Sequence, residues 1–158
     1  VTAPQPTPSA GDGWALHLFV PGRPAAQGSK RHVGRGVLVE QSKAVAPWRT
    51  TVAWHAAQAY RHPPLTGAVR VVLDFVMPRP AATPKRRPTP AATKRPDIDK
   101  LQRAALDALT AVVWLDDSQV VEITACKRIA EAGEPPGLLV RVAETGAIAP
   151  APAALPEQ

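Results

Sequence analysis

From Met77 to Pro96 the chain reads MPRPAATPKRRPTPAATKRP, with six prolines, six cations and no acid. Proline fixes φ and lacks a backbone N–H, so neither a helix interior nor a central strand survives prolines this dense. Any fold must therefore close one element at Met77 and open the next near Asp97, with a long basic loop between them. Such loops inside compact domains are uncommon, and they are usually either functional segments or solvated excursions. Its cations Lys85, Arg86, Arg87, Lys94 and Arg95 are candidate contacts for a polyanion.

The flanks of the loop are strongly patterned. Val69, Val71, Leu73, Phe75 and Met77 alternate, which predicts a strand over 67–77 with Asp74 solvated on its opposite face. After the loop, a 100° step per residue gathers Leu101, Ala104, Ala105, Ala108, Leu109 and Val112 into one stripe. This predicts a helix over 98–112 that turns Asp99, Arg103 and Asp107 the other way. Elsewhere the pattern predicts strands at 14–20, 36–40, 118–127 and 137–142, and a helix at 47–60 that ends before His62-Pro63-Pro64. The glycine-rich stretch PGRPAAQGSKRHVGRG is expected to hold Lys30 and Arg31, further nucleic-acid contacts, on a mobile tip. The expected fold class is α/β (α+β): one domain over 13–143, a mixed sheet with two packed helices in the order β-β-α-β-α-β-β. The basic loop spans 78–96, and the Ala/Pro-rich ends, 1–12 and 144–158, are expected to be disordered tails.

The charge is unevenly spread. Residues 23–103 carry 16 Lys/Arg against 4 Asp/Glu, residues 104–158 carry 3 against 8, and the whole chain is +6. A nucleic acid is the expected partner of the front and middle. One cysteine and four histidines leave no internal disulfide and no cysteine-rich zinc site. No apolar run approaches the roughly 18 residues of a membrane span, and the N-terminus lacks the parts of a secretory signal, so a cytoplasmic protein with no membrane partner is expected. Trp48, Trp54 and Trp114 read most simply as core residues.

Asp97 and Asp99 stand where the loop enters the helix, and Asp116-Asp117 where the helix returns to a strand. Each alone reads equally well as a cap or a turn residue. The helix is about 22 Å long, so the acids converge only if the chain folds back along it. A convergent all-oxygen set would suit Mg²⁺ or Mn²⁺ and would suit zinc poorly.

The segment KRPDIDKLQRAALDALTAVVWLDDSQVVEI resembles the signature of the RusA family of Holliday junction resolvases. That signature runs Asp-x-Asp-Asn-x-x-Lys, then Asp-Ala-Leu, then Asp-Asp-x-Gln-Val, and with the strand, Pro-Gly turn and basic stretch near the start the likeness covers about residues 14–143. The resemblance implies a homodimeric, Mg²⁺-dependent crossover junction endodeoxyribonuclease, with Mn²⁺ as a substitute. Such an enzyme binds four-way DNA junctions and nicks two opposing strands in recombination and repair. It implies that Asp97, Asp99 and Asp117 are the catalytic, metal-holding acids, that Arg103 stands at the position of the family's lysine, and that Asp107, Asp116 and Gln119 fill further motif positions. Two departures stand out. Lys100 replaces the asparagine, and Arg103 keeps the lysine's charge but cannot deprotonate to act as a base. Lys100 motivates the alternative of a non-cleaving junction or single-strand DNA-binding protein of the same fold.

Overall fold

The computed structural model describes residues 13–28, 30–32, 38–40 and 43–146. The strands are β1 (Leu16–Pro21), β2 (Lys30–His32), β3 (Leu38–Glu40), β4 (Val69–Met77), β5 (Val120–Ile129) and β6 (Gly137–Glu144). The helices are α1 (Val45–Ala59) and α2 (Ile98–Leu109), and a single 3-10 turn at Asp117–Gln119 precedes β5. This is the expected mixed α/β domain with two helices, but with one strand more than periodicity predicts. β2 pairs antiparallel with β3, Lys30 opposite Glu40, so the backbone of Lys30 and Arg31 lies in a short strand where an irregular stretch is expected. A three-residue strand of polar residues has no alternation by which to announce itself. The expected tails lie almost wholly outside the described residues, although β6 runs on to Glu144 and the Thr145 amide still bonds to the Ala68 carbonyl.

The main sheet has the order β1-β6-β4-β5, with β4 antiparallel to β6 and parallel to β5. The parallel pair is what the long loop and α2 make possible, since a crossover must carry the chain from Met77 back to the start of β5, where Val120 lies beside Val69. The helices cover one face. α2 buries Leu101, Ala104, Ala105, Ala108 and Leu109, the stripe the periodicity predicts, and α1 buries Val45, Trp48, Val52 and Ala56. They pack on Val69, Val71, Leu73 and Phe75 of β4. Gly137 opens β6 where a Cβ would overlap the Phe19 ring and press on the Val20 carbonyl, so β1 can lie this close only against glycine. Trp48 and Trp114 are core residues as expected, whereas Trp54 is exposed on α1. No helix among the described residues is long and apolar enough to cross a membrane.

Two expectations are corrected. Asp74 keeps the expected face but is only partly exposed and is paired there: it accepts hydrogen bonds from Cys126 Sγ at 3.0 Å and Arg128 Nε at 3.1 Å, and Arg128 also binds Glu134 through two nitrogens at 2.7 Å. The cause is register, since parallel pairing sets Asp74 beside Cys126. Helix α2 also stops three residues short of 112. Thr110 is extended, Ala111 takes a left-handed φ of 66°, and the Ala111 amide bonds to the Trp114 carbonyl at 2.7 Å, which turns the chain back on itself.

Candidate active site

The reversal after α2 places Asp117. Trp114 is wholly buried, and a buried indole N–H must find an acceptor. It finds Asp117 Oδ1 at 3.2 Å. The Thr110 hydroxyl lies against the same oxygen and also 3.0 Å from the Leu106 carbonyl, with one proton to give. Among the described residues no donor reaches Asp117 Oδ2, so one oxygen is held by the fold and the other is left to the surface.

The neighbouring motif positions build the support. Asp116 caps the 3-10 turn by accepting from the Ser118 amide at 2.8 Å. The Ser118 hydroxyl and amide together hold its carboxyl below the usual range. Gln119 uses its whole amide: Oε1 accepts from Leu115 N (2.8 Å) and Asp116 N (2.9 Å), and Nε2 donates to the carbonyls of Leu65 (2.8 Å) and Gly67 (2.9 Å). This reciprocal capping ties the segment bearing Asp117 to the chain leading into β4.

Asp97 occupies the N-cap position of α2, but its side chain makes no capping bond; its carboxylate lies 3.7 Å from the Lys100 ammonium. Lys100 therefore points toward Asp97 and not toward Asp107, which instead pairs with Arg49 at 3.7 Å. Asp99, Arg103, Asp107 and Asp117 line one cleft together with Gln27 and Gln102. Asp97 is not among its lining residues. The expected meeting of three acids at one point is not reached, because α2, about 18 Å long, separates Asp97 at its start from Asp117 beside Thr110 at its end. Among the described residues no three His, Cys, Asp or Glu stand close enough together to hold a metal ion.

The donor chemistry of the cleft still suits a hard cation. Mg²⁺ commonly takes one or two carboxylates and keeps several waters, and Asp99 and Asp117 offer carboxylates on a shared surface. Gln27 adds a neutral oxygen: its backbone N–H donates to the Lys100 carbonyl at 3.1 Å, which holds the residue against the start of α2, while its buried side-chain Oε1 has no hydrogen-bond partner. Sequence reasoning missed Gln27, which sits in a glycine-rich stretch with no pattern to single it out.

The basic loop is pinned from within. Arg79 donates to Thr89 Oγ1 (2.6 Å), the Pro84 carbonyl (3.1 Å) and the Arg87 carbonyl (2.9 Å), and Lys127 Nζ donates to the carbonyls of Lys94 (2.9 Å) and Pro96 (2.8 Å). Two cations thus satisfy backbone carbonyls that have no ladder partner. Lys85, Arg86, Arg87, Lys94 and Arg95 are left exposed, and none forms an ion pair among the described residues.

Comparison with known proteins bears on this arrangement in two ways. A family model described as Endodeoxyribonuclease RusA matches residues 21–143. No curated protein matches the chain.

Proposed function

Because the chain belongs to the RusA family of endodeoxyribonucleases, we propose that it is a Mg²⁺-dependent crossover junction endodeoxyribonuclease. As a homodimer it would nick two opposing strands of a four-way DNA junction, in recombination and repair. The observation that carries this reading is the cleft along α2, where Asp99, Arg103 and Asp117 share one surface with the unpartnered oxygen of Gln27. Asp99 and Asp117 would hold the Mg²⁺, with Mn²⁺ as a substitute, and Asp97 is the third acid of the set. When bound, the ion supplies charge neutralisation at the phosphodiester and lowers the pKa of a water.

The remaining work belongs to the chain's own side chains. Arg103 lies one turn beyond Asp99 and on the same helix face, where its two-pronged guanidinium can bind the nonbridging oxygens of the scissile phosphate. Asp117 holds its orientation because Trp114 and Thr110 grip one of its oxygens. Gln27 Oε1 could accept a hydrogen bond from a water in the cleft and so orient that water's lone pairs. No side-chain nucleophile is needed, and Cys126 lies beside Asp74, outside the cleft. Lys85, Arg86, Arg87, Lys94 and Arg95, with Lys30 and Arg31, would bind the phosphates of the arms. A four-way junction has two-fold symmetry, so two copies about a two-fold axis present two sites for two matched cuts.

The test is cleavage of a mobile four-way junction with and without Mg²⁺. Paired nicks are expected with the ion alone. Asp97→Asn, Asp99→Asn and Asp117→Asn should each abolish them while leaving binding equal or tighter, since each removes a negative charge from a phosphate-facing surface. Ca²⁺ should allow binding without cutting. Tight junction binding with no nicks in Mg²⁺ would establish the non-cleaving alternative.

A further inference from the structure

The acid cleft does not end at Asp107. That residue is common to it and to a second cleft of about 420 Å³ between α1 and α2. The second cleft is walled by Ala46, Arg49, Thr50 and Ala53 of α1, with Ala108 and Thr110 on the far side. Positions 46, 49, 50 and 53 follow the three-and-four spacing of one helix face, and the three alanines keep the walls low. The two clefts share Asp107 as a wall, and their lining residues together mark a furrow along α2 from Asp99 to Thr110.

Its two halves differ in charge. The first holds three carboxylates against Arg103, whereas in the second the only charged lining residues among those described are Arg49 and Asp107. These stand 3.7 Å apart through one nitrogen and one oxygen, with side chains 41% and 28% exposed. An ion pair this open and this long is weak. A phosphodiester offers the same guanidinium two oxygens and a matched fork.

We propose that the second half of the furrow is a binding site for the DNA backbone where it continues past the scissile phosphate. Arg49 binds one of its phosphates, and Asp107 is a positioning residue that holds the guanidinium over the furrow until DNA replaces it. Asp99 to Asp107 spans about 12 Å of helix, and B-DNA advances 3.4 Å per nucleotide of a strand along its axis, so on a duplex lying along the furrow the phosphate is about three to four nucleotides from the cut. The proposal rests on the nuclease reading, because the position of the scissile phosphate comes from there.

The test reads binding alone, in Ca²⁺, by following junction affinity across salt concentrations. Arg49→Ala should flatten the slope of log affinity against log salt by about 0.9, so that its affinity falls about 3.5-fold less than that of the natural chain between 50 and 200 mM salt. Arg49→Lys keeps the charge and should keep the slope. A folded Arg49→Ala with an unchanged slope overturns the proposal. If that variant does not fold, phenylglyoxal modification of the natural chain decides: saturating DNA should protect Arg49 but not Arg61, exposed just beyond α1, and equal modification with and without DNA overturns the proposal. A chain that passes these tests yet never nicks would refute the nuclease reading while leaving the backbone site in place.

Discussion

Replacing Gln119 with glutamate changes one nitrogen for one oxygen and tests the support beneath Asp117. The side-chain oxygen that accepts from Leu115 N and Asp116 N is retained. The nitrogen that donates to Leu65 O and Gly67 O becomes a second acceptor facing two carbonyls. Each hydrogen bond removed costs about 1 kcal/mol net, and each acceptor left without a donor about 1–3 kcal/mol if fully buried. With the site only half-buried, Gln119→Glu should cost about 2–4 kcal/mol. In urea denaturation, with an m-value of about 2 kcal/mol/M, the midpoint should fall by about 1–2 M. The deficit carries its own pH signature. Two facing carbonyls favour the neutral acid, raising its folded pKa above the unfolded value of about 4.3. The variant's deficit relative to the natural chain should therefore be smallest below that unfolded value and grow as pH rises through the folded pKa. A midpoint within about 0.2 M of the natural chain at pH 7, or a deficit that ignores pH, would refute the latch.

Changing Lys85, Arg86 and Arg87 together to alanine should flatten the salt dependence of junction affinity by about 0.9 for each phosphate that is no longer neutralised; an unchanged slope would assign those cations to solvent. Lys100→Asn removes the ammonium 3.7 Å from Asp97 and should lower the Mg²⁺ concentration for half-maximal nicking several-fold, whereas an unchanged requirement would show that the ammonium does not compete with the ion. Burial and the adjacent Asp74 push the Cys126 thiol up to about 11. Its alkylation by iodoacetamide at pH 8 should therefore run at least about tenfold slower than that of a free thiol with a pKa of about 8.5. Asp74→Asn should speed the reaction, and a rate equal to that of the free thiol would contradict the hydrogen bond between Cys126 and Asp74.

What the sequence shows plainly is whatever depends on neighbours along the chain. The alternation at Val69–Met77 and the stripe from Leu101 to Leu109 each repeat a single geometric period, and both elements form where that period runs. The segment 97–119 is recognisable because its acids and its Asp-x-x-Gln spacing lie within one stretch. Other features depend on partners distant in sequence. Gln27 is held at the cleft by a backbone bond to the Lys100 carbonyl, and Asp74 gains its partners because of a register between two strands. The end of α2 at Leu109 is set by a left-handed alanine that no helical propensity would predict. The separation of Asp97 from Asp117 follows in turn from where that reversal falls. Asp116 and Gln119 are visible only as motif positions; their mutual capping and the binding of Gln119 to Leu65 and Gly67 need the fold.

The order β1-β6-β4-β5 also constrains how the protein is made. The latest strand of the described chain stands inside the sheet, between the first strand and β4, and β1 has no other neighbour in it. A ribosome adding roughly 5–20 residues per second needs about 6–23 s to travel from Pro21 to Gly137. Through that interval Leu16, Leu18 and Val20 have no strand to pair with, and β4, once made, is open along the side that β6 will take. Synthesis thus passes through a stage in which two apolar strand edges wait for the same missing partner, and a chain halted before Glu144 would present both of them to its neighbours.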